Sequence, residues 1–159
     1  MLVARDASPW SRGIWVKPGE GMLKDAMGGY RGTAEEISRL ILAEPGNADA
    51  WCNRANALSS TGDYEGAIRD YTKALELGLR FREAVTAYGN RGIARVKVGD
   101  IFGALEDFGE IIARKPNNTR LLHAAYTSRA SVKENIGDKE GAAADRQLAS
   151  MLTPETTTT

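Results

Sequence analysis

Asn53 to Leu75 reads NRANALSSTGDYEGAIRDYTKAL, and the chain writes the same pattern twice more. Asn90 to Ile112 is NRGIARVKVGDIFGALEDFGEII, and Ser128 to Ser150 is SRASVKENIGDKEGAAADRQLAS. Aligned without gaps, the stretches share an arginine (Arg54, Arg91, Arg129) and a Gly-Asp pair (Gly62-Asp63, Gly99-Asp100, Gly137-Asp138). They also share a Gly-Ala pair (Gly66-Ala67, Gly103-Ala104, Gly141-Ala142) and an aspartate (Asp70, Asp107, Asp145). From Arg54 to Arg91 is 37 residues, and from Arg91 to Arg129 is 38. A period of this size marks a stacked array, in which each unit leaves an apolar flank for the next one to cover.

Within each unit the spacing is helical. Tyr64, Ala67, Ile68, Tyr71, Ala74 and Leu75 fall on one face of a helix that Asp63 opens, and Gly62 ends the helix before it. The preceding helix, about Ala48 to Thr61, carries Trp51, Ala55 and Leu58 on one face. Unit two offers Val85, Tyr88 and Gly92, then Leu105, Phe108 and Ile112; unit three offers Leu122, Tyr126 and Ala130, then Ala142, Ala149 and Leu152. Upstream, Thr33 and Glu36 have capping-box spacing ahead of Ile37, Leu40 and Ile41, and Pro45-Gly46 closes that helix. Nothing alternates at period two over a useful length, so no sheet is expected.

The ends differ from the body. Residues 1–32 hold six of the 17 glycines and two of the five prolines, Pro9 and Pro18. They read as an irregular arm pinned by Trp10 and Trp15, with a short helix near Gly21–Met27, or as a partly disordered leader. The expected layout is this arm, a helical domain over 33–152 with hairpins at about 48–81, 82–117 and 118–152, and a disordered tail over 153–159. The 21 basic and 21 acidic residues balance, which argues against nucleic acid and anionic membrane surfaces as partners. No apolar run approaches the ~18 residues of a membrane span. The first residues lack a continuous apolar stretch, and there is a single cysteine, Cys52; both fit a cytoplasmic protein.

These columns resemble the tetratricopeptide repeat, a helix-turn-helix unit of 34 residues. Trp51, Ala55, Leu58, Ala67 and Tyr71 stand in its signature positions in unit one. Tyr88, Gly92, Ala104, Phe108 and Pro116 do so in unit two, and Tyr126, Ala130, Ala142 and Pro154 in unit three. The resemblance implies an all-α, right-handed solenoid of antiparallel hairpins, here three full repeats plus a degenerate N-terminal half repeat at Thr33–Glu44. The steps of 37 and 38 exceed 34 by about one helical turn, so the first helices of units two and three are expected to begin a turn early, near Arg82 and Asn118. Arg146 and Lys139 replace aromatic columns in unit three, as suits a terminal unit that nothing covers.

Candidates for chemistry are few. His123 is the single histidine, and no set of residues is spaced as a metal site, a catalytic triad or a phosphate loop, so no enzyme, metal or cofactor is expected. Arg54 and Asp70, Arg91 and Asp107, and Arg129 and Asp145 are each 16 residues apart on facing helices. They read as structural ion pairs that set hairpin register, or as solvated charges on a shared surface. The resemblance implies a concave groove, lined by the first helices, that takes a peptide or helix from a protein partner. Asn53, Asn56, Asn90, Ile93, Lys97, Ser128 and Ser131 fall in groove columns, where asparagines can both donate to and accept from an extended backbone. Those positions could equally be merely solvated. Only Asn56 and Asn90 match the family's carboxylate-gripping clamp; its cationic columns hold Cys52, Ala124 and Ser128, so chaperone tails are not the expected ligand. The sequence therefore points to a non-enzymatic interaction module, with a self-associating structural subunit (a homo-oligomer through the arm or the open end of the stack) as the alternative.

Overall fold

The computed structural model describes residues 23–24, 30–31 and 33–152. Trp10, Trp15 and the tail over 153–159 lie outside the described residues. Seven helices make up the described body. A lead helix α1 (Ala34–Ala43) is followed by three hairpins: α2 (Ala48–Ser60) with α3 (Tyr64–Leu77), α4 (Phe81–Val98) with α5 (Ile101–Arg114), and α6 (Thr119–Asn135) with α7 (Lys139–Ser150). Each helix packs on the next in chain order, so the hairpins pile up one on another as a solenoid.

One expectation fails in the arm. Where a short helix was expected near Gly21–Met27, Leu23–Lys24 form a strand β1, paired antiparallel with β2 (Tyr30–Arg31) in the register Leu23 to Arg31 and Lys24 to Tyr30. The absence of a sheet therefore holds for the body and not for this two-residue ladder. The pairing gives the amides of these two short segments partners across a ladder, where a segment this short is a poor helix nucleus. β2 lies against α2.

Helix ends follow the sequence signals. Thr33 and Glu36 form a full capping box at α1. Asp63, Asp100 and Asp138 each accept from the backbone amide of the glycine three residues on, at 2.9 to 3.0 Å. A Cβ on Gly66, Gly103 or Gly141 would collide with that capping carboxylate, which explains the shared glycine of the Gly-Ala pair. The turn glycines Gly62, Gly99 and Gly137 have φ of 84 to 89°, a region costly for other residues.

The extra turn lies where the repeat distance put it. α2 begins at Ala48, six residues before Arg54, whereas α4 and α6 begin ten residues before Arg91 and Arg129, at Phe81 and Thr119. All three end six or seven residues after the arginine, so the added turn projects from the N-terminal ends alone.

The core lies along the stack, within and between the units. Tyr71 packs with Ala55 and Ala67 of its own hairpin and with Ala87 of the next. Val85, Ala104, Phe108 and Ile111 of unit two meet Ala124, Ala125 and Val132 of unit three. Ile111 is fully buried, and Ile112, which the spacing favoured, is only half-buried against that cluster. Ile37 and Ile41 of α1 close on Ala50, covering the first hairpin as a half repeat would. At the far end Lys139 and Arg146 are exposed, and Arg146 pairs with Glu134 on its own hairpin.

Candidate functional site

Three guanidinium–carboxylate pairs occupy the same place in the three hairpins. Arg54 donates through Nε and Nη2 to Asp70 at 2.6 and 2.9 Å. Arg91 does so to Asp107 at 3.0 and 2.6 Å, and Arg129 to Asp145 at 2.8 and 2.7 Å. The fork-on-fork geometry fixes how the two helices of a hairpin slide against each other, because a shift of one residue breaks both bonds. The aspartate side chains are 1 to 6% exposed, so each charge depends on its partner. Each arginine also lies over an aromatic ring one turn back: Trp51, Tyr88 and Tyr126, at 4.9, 5.5 and 5.7 Å.

Two further layers were not read from the sequence. Arg95 Nη1 and Lys133 Nζ reach Asp107 and Asp145 at 3.0 and 2.9 Å, so units two and three set two cations on one carboxylate. The signal was available, since both stand four residues after the arginine, where unit one has Leu58. The second layer joins neighbouring units. Arg54 Nη1 donates to Ser38 Oγ at 3.0 Å and Arg91 Nη1 to Thr72 Oγ1 at 2.9 Å, while each hydroxyl gives its own proton to a backbone carbonyl four residues back. In unit three that column of the preceding helix is Gly109, with no hydroxyl to offer.

Burial separates the carboxylates. Desolvation is the largest influence on Asp107 and pushes it up despite Arg91 and Arg95. For Asp145 desolvation again pushes up, but the hydrogen bonds and charges of Arg129 and Lys133 together outweigh it and leave it lowered.

The face formed by the first helices is polar and partly engaged with itself. Asn56 Oδ1 accepts from Asn90 Nδ2 at 3.0 Å and from the Tyr71 hydroxyl, tying α2, α3 and α4 together. This leaves the Asn56 Nδ2 donor and the Asn90 Oδ1 acceptor without a partner in this network. Burial pushes the Tyr71 phenol well up, so it stays a neutral donor. Asn53 is 6% exposed and offers almost no surface; Ile93 and Ser128 are half-buried, and Lys97 and Ser131 are exposed. The half-buried Cys52 thiol is pushed up to about 12, by desolvation first and then by Asp49 and Glu83, which disfavours the reactive thiolate at neutral pH. Among the described residues no group of three or more His, Cys, Asp or Glu side chains could hold a metal ion. No described helix is long and apolar enough to cross a membrane.

Comparison with known proteins places this architecture. The sequence model described as "Tetratricopeptide repeat" matches residues 48–78, which are α2, the Gly-Asp turn and α3. Serine/threonine-protein phosphatase 5 of Mus musculus is 30% identical over 89 residues, 56% of this chain and 17% of that protein. RNA polymerase II-associated protein 3 of Xenopus laevis is 29% identical over 116 residues, 69% of this chain and 17% of that protein. The chain thus spans about a sixth of the length of these relatives. The chain thus carries a tetratricopeptide repeat at 48–78 and two further hairpins that repeat its columns, caps and ion pair, in a fold that generally mediates protein–protein interaction.

Proposed function

We propose that the face of α2, α4 and α6 receives an extended segment of a protein partner. The observation that carries this reading is the Asn56–Asn90 bond, for it marks where first helices of successive units come within side-chain reach. α2 also touches α4 across the hairpin partner α3 that separates them in the chain, which supports reading the first helices as the inner side of the stack. A concave wall with a free amide donor at Asn56, a free carbonyl at Asn90, and Ser128, Ser131 and Lys97 further along suits a peptide backbone better than an apolar helix. Asn53 is left out of this reading because it is closed off.

The test is peptide-array selection on the purified chain, followed by titration of the best binder into Asn90→Ala and Ser131→Arg variants. A loss of about tenfold or more in affinity, ~1.4 kcal/mol, is expected for each. Unchanged affinity in both would remove the groove from the account. Concentration-dependent dimerisation that depends on residues 1–32 would favour the self-association reading instead.

A further inference from the structure

The added turns of α4 and α6 create a feature that a 34-residue repeat would not have. Phe81, Val85, Pro116 and Leu121 line a pocket of about 210 Å³ at the edge of units two and three, together with the exposed Arg82, Asn117 and Asn118. It lies between the N-terminal ends of two first helices, α4 and α6. Phe81 is 52% exposed although it forms part of the wall. We propose that this pocket is a second docking site, for an acidic linear segment of a partner protein that inserts one bulky apolar side chain.

Charge complementarity identifies the occupant. Arg82 lines the pocket, and Arg80, Lys115 and Arg120 stand next in sequence to the lining residues Phe81, Pro116 and Leu121; all four are exposed. The acids alongside are already engaged: Glu83 with Arg80 at 3.1 Å and Glu110 with Arg114 at 3.6 Å. Arg82, Lys115 and Arg120 pair with no carboxylate among the described residues. In a chain whose charges sum to zero, these three cations without carboxylate partners make a local positive excess. Lys115 sharpens the point: it holds φ of +45° at the end of α5, where unit one uses Gly78 at the same place. A lysine there carries backbone strain that glycine would avoid, and sets a cation one residue from the wall residue Pro116. The arm of this chain does not complement the site, because residues 1–32 carry five basic side chains (Arg5, Arg12, Lys17, Lys24, Arg31) against three acidic ones (Asp6, Glu20, Asp25).

The probe is a short peptide of acidic residues flanking one phenylalanine, titrated into isotopically labelled full chain and followed by backbone amide shifts. Shifts should centre on 81–85 and 116–121, and the peptide with alanine in place of phenylalanine should bind about tenfold more weakly. Arg82→Glu and Arg120→Glu, both at exposed positions, should each cost about tenfold and leave the spectrum of the free protein folded. Binding should fall steeply toward about 1 M salt, where charges are screened within about 3 Å. Asn90→Ala should change nothing, which separates this site from the concave face. Shifts confined to the concave face, indifference to both charge reversals, or tighter binding of a single-stranded oligonucleotide at the same amides would each overturn the proposal.

Discussion

Replacing Gly109 by serine should stabilise the protein, and the reason lies in the column it occupies. In units one and two, Ser38 and Thr72 each accept from the arginine of the following unit while donating to a carbonyl four residues back. Gly109 stands in that column before Arg129, and a Cβ there would meet only Arg129 Nη1, at 3.9 Å. A serine hydroxyl extends far enough from that Cβ to accept a bond from Nη1, with its own proton directed to the Leu105 carbonyl. Gly to Ser in a helix interior gains about 0.5 kcal/mol of propensity, and Gly to Ala about 1. The new bond to a guanidinium that is 22% exposed adds about 1 kcal/mol, below the range for fully buried charged partners. Gly109→Ser should therefore gain about 1.5 kcal/mol, or roughly 3 to 8 °C in Tm. Urea denaturation followed by circular dichroism measures this, with the m-value expected to be unchanged. The decisive comparison is with Gly109→Ala. If the hydroxyl engages Arg129, serine exceeds alanine; if serine falls below alanine by the propensity gap of about 0.5 kcal/mol, the inter-unit relay contributes nothing and the reasoning fails.

Three further outcomes follow from the same geometry. Gly92→Ala would place a Cβ 2.9 Å from the buried ring of Phe108 and 3.3 Å from Asp107 Cβ, so it should destabilise by about 1–2 kcal/mol despite alanine's better helix propensity; an unchanged urea midpoint would show that the hairpin can spread. Cys52, with its thiol pushed up to about 12, should react with an aromatic disulfide reagent at neutral pH far more slowly than it does in denaturant; equal rates would contradict its burial. Asp145 is held below its ordinary value near 3.8, so its contribution is present above that value and is lost as pH falls through the lower folded value. Asp107, pushed up, acts with the opposite sign, contributing below its ordinary value and losing that as pH rises. Below about pH 4 the wild-type Tm should thus fall more steeply than that of Asp145→Asn, and parallel slopes would deny Asp145 this role.

The chain's linear order was enough to determine the hairpins. The Gly-Asp turns, the capping aspartates, the small columns at Ala55, Gly92 and Ala130, and even the extra turn at the starts of α4 and α6 depend on neighbours within a few residues. Such relations are fixed by 3.6-residue periodicity, so a register counted along the sequence is the register in space. The contacts between units were decided only in three dimensions. Asn56 and Asn90 read as free groove side chains, yet stacking turns them toward each other and toward Tyr71. Arg95 and Lys133 were given no role by the sequence reading, yet the closing of each hairpin brings them onto Asp107 and Asp145. The pocket walled by Phe81 and Leu121 needs two projecting helix ends side by side, 40 residues apart in the chain. Which long polar side chain meets which partner depends on the rotation from one unit to the next. That rotation is set by how whole apolar faces pack together, and no local spacing encodes it.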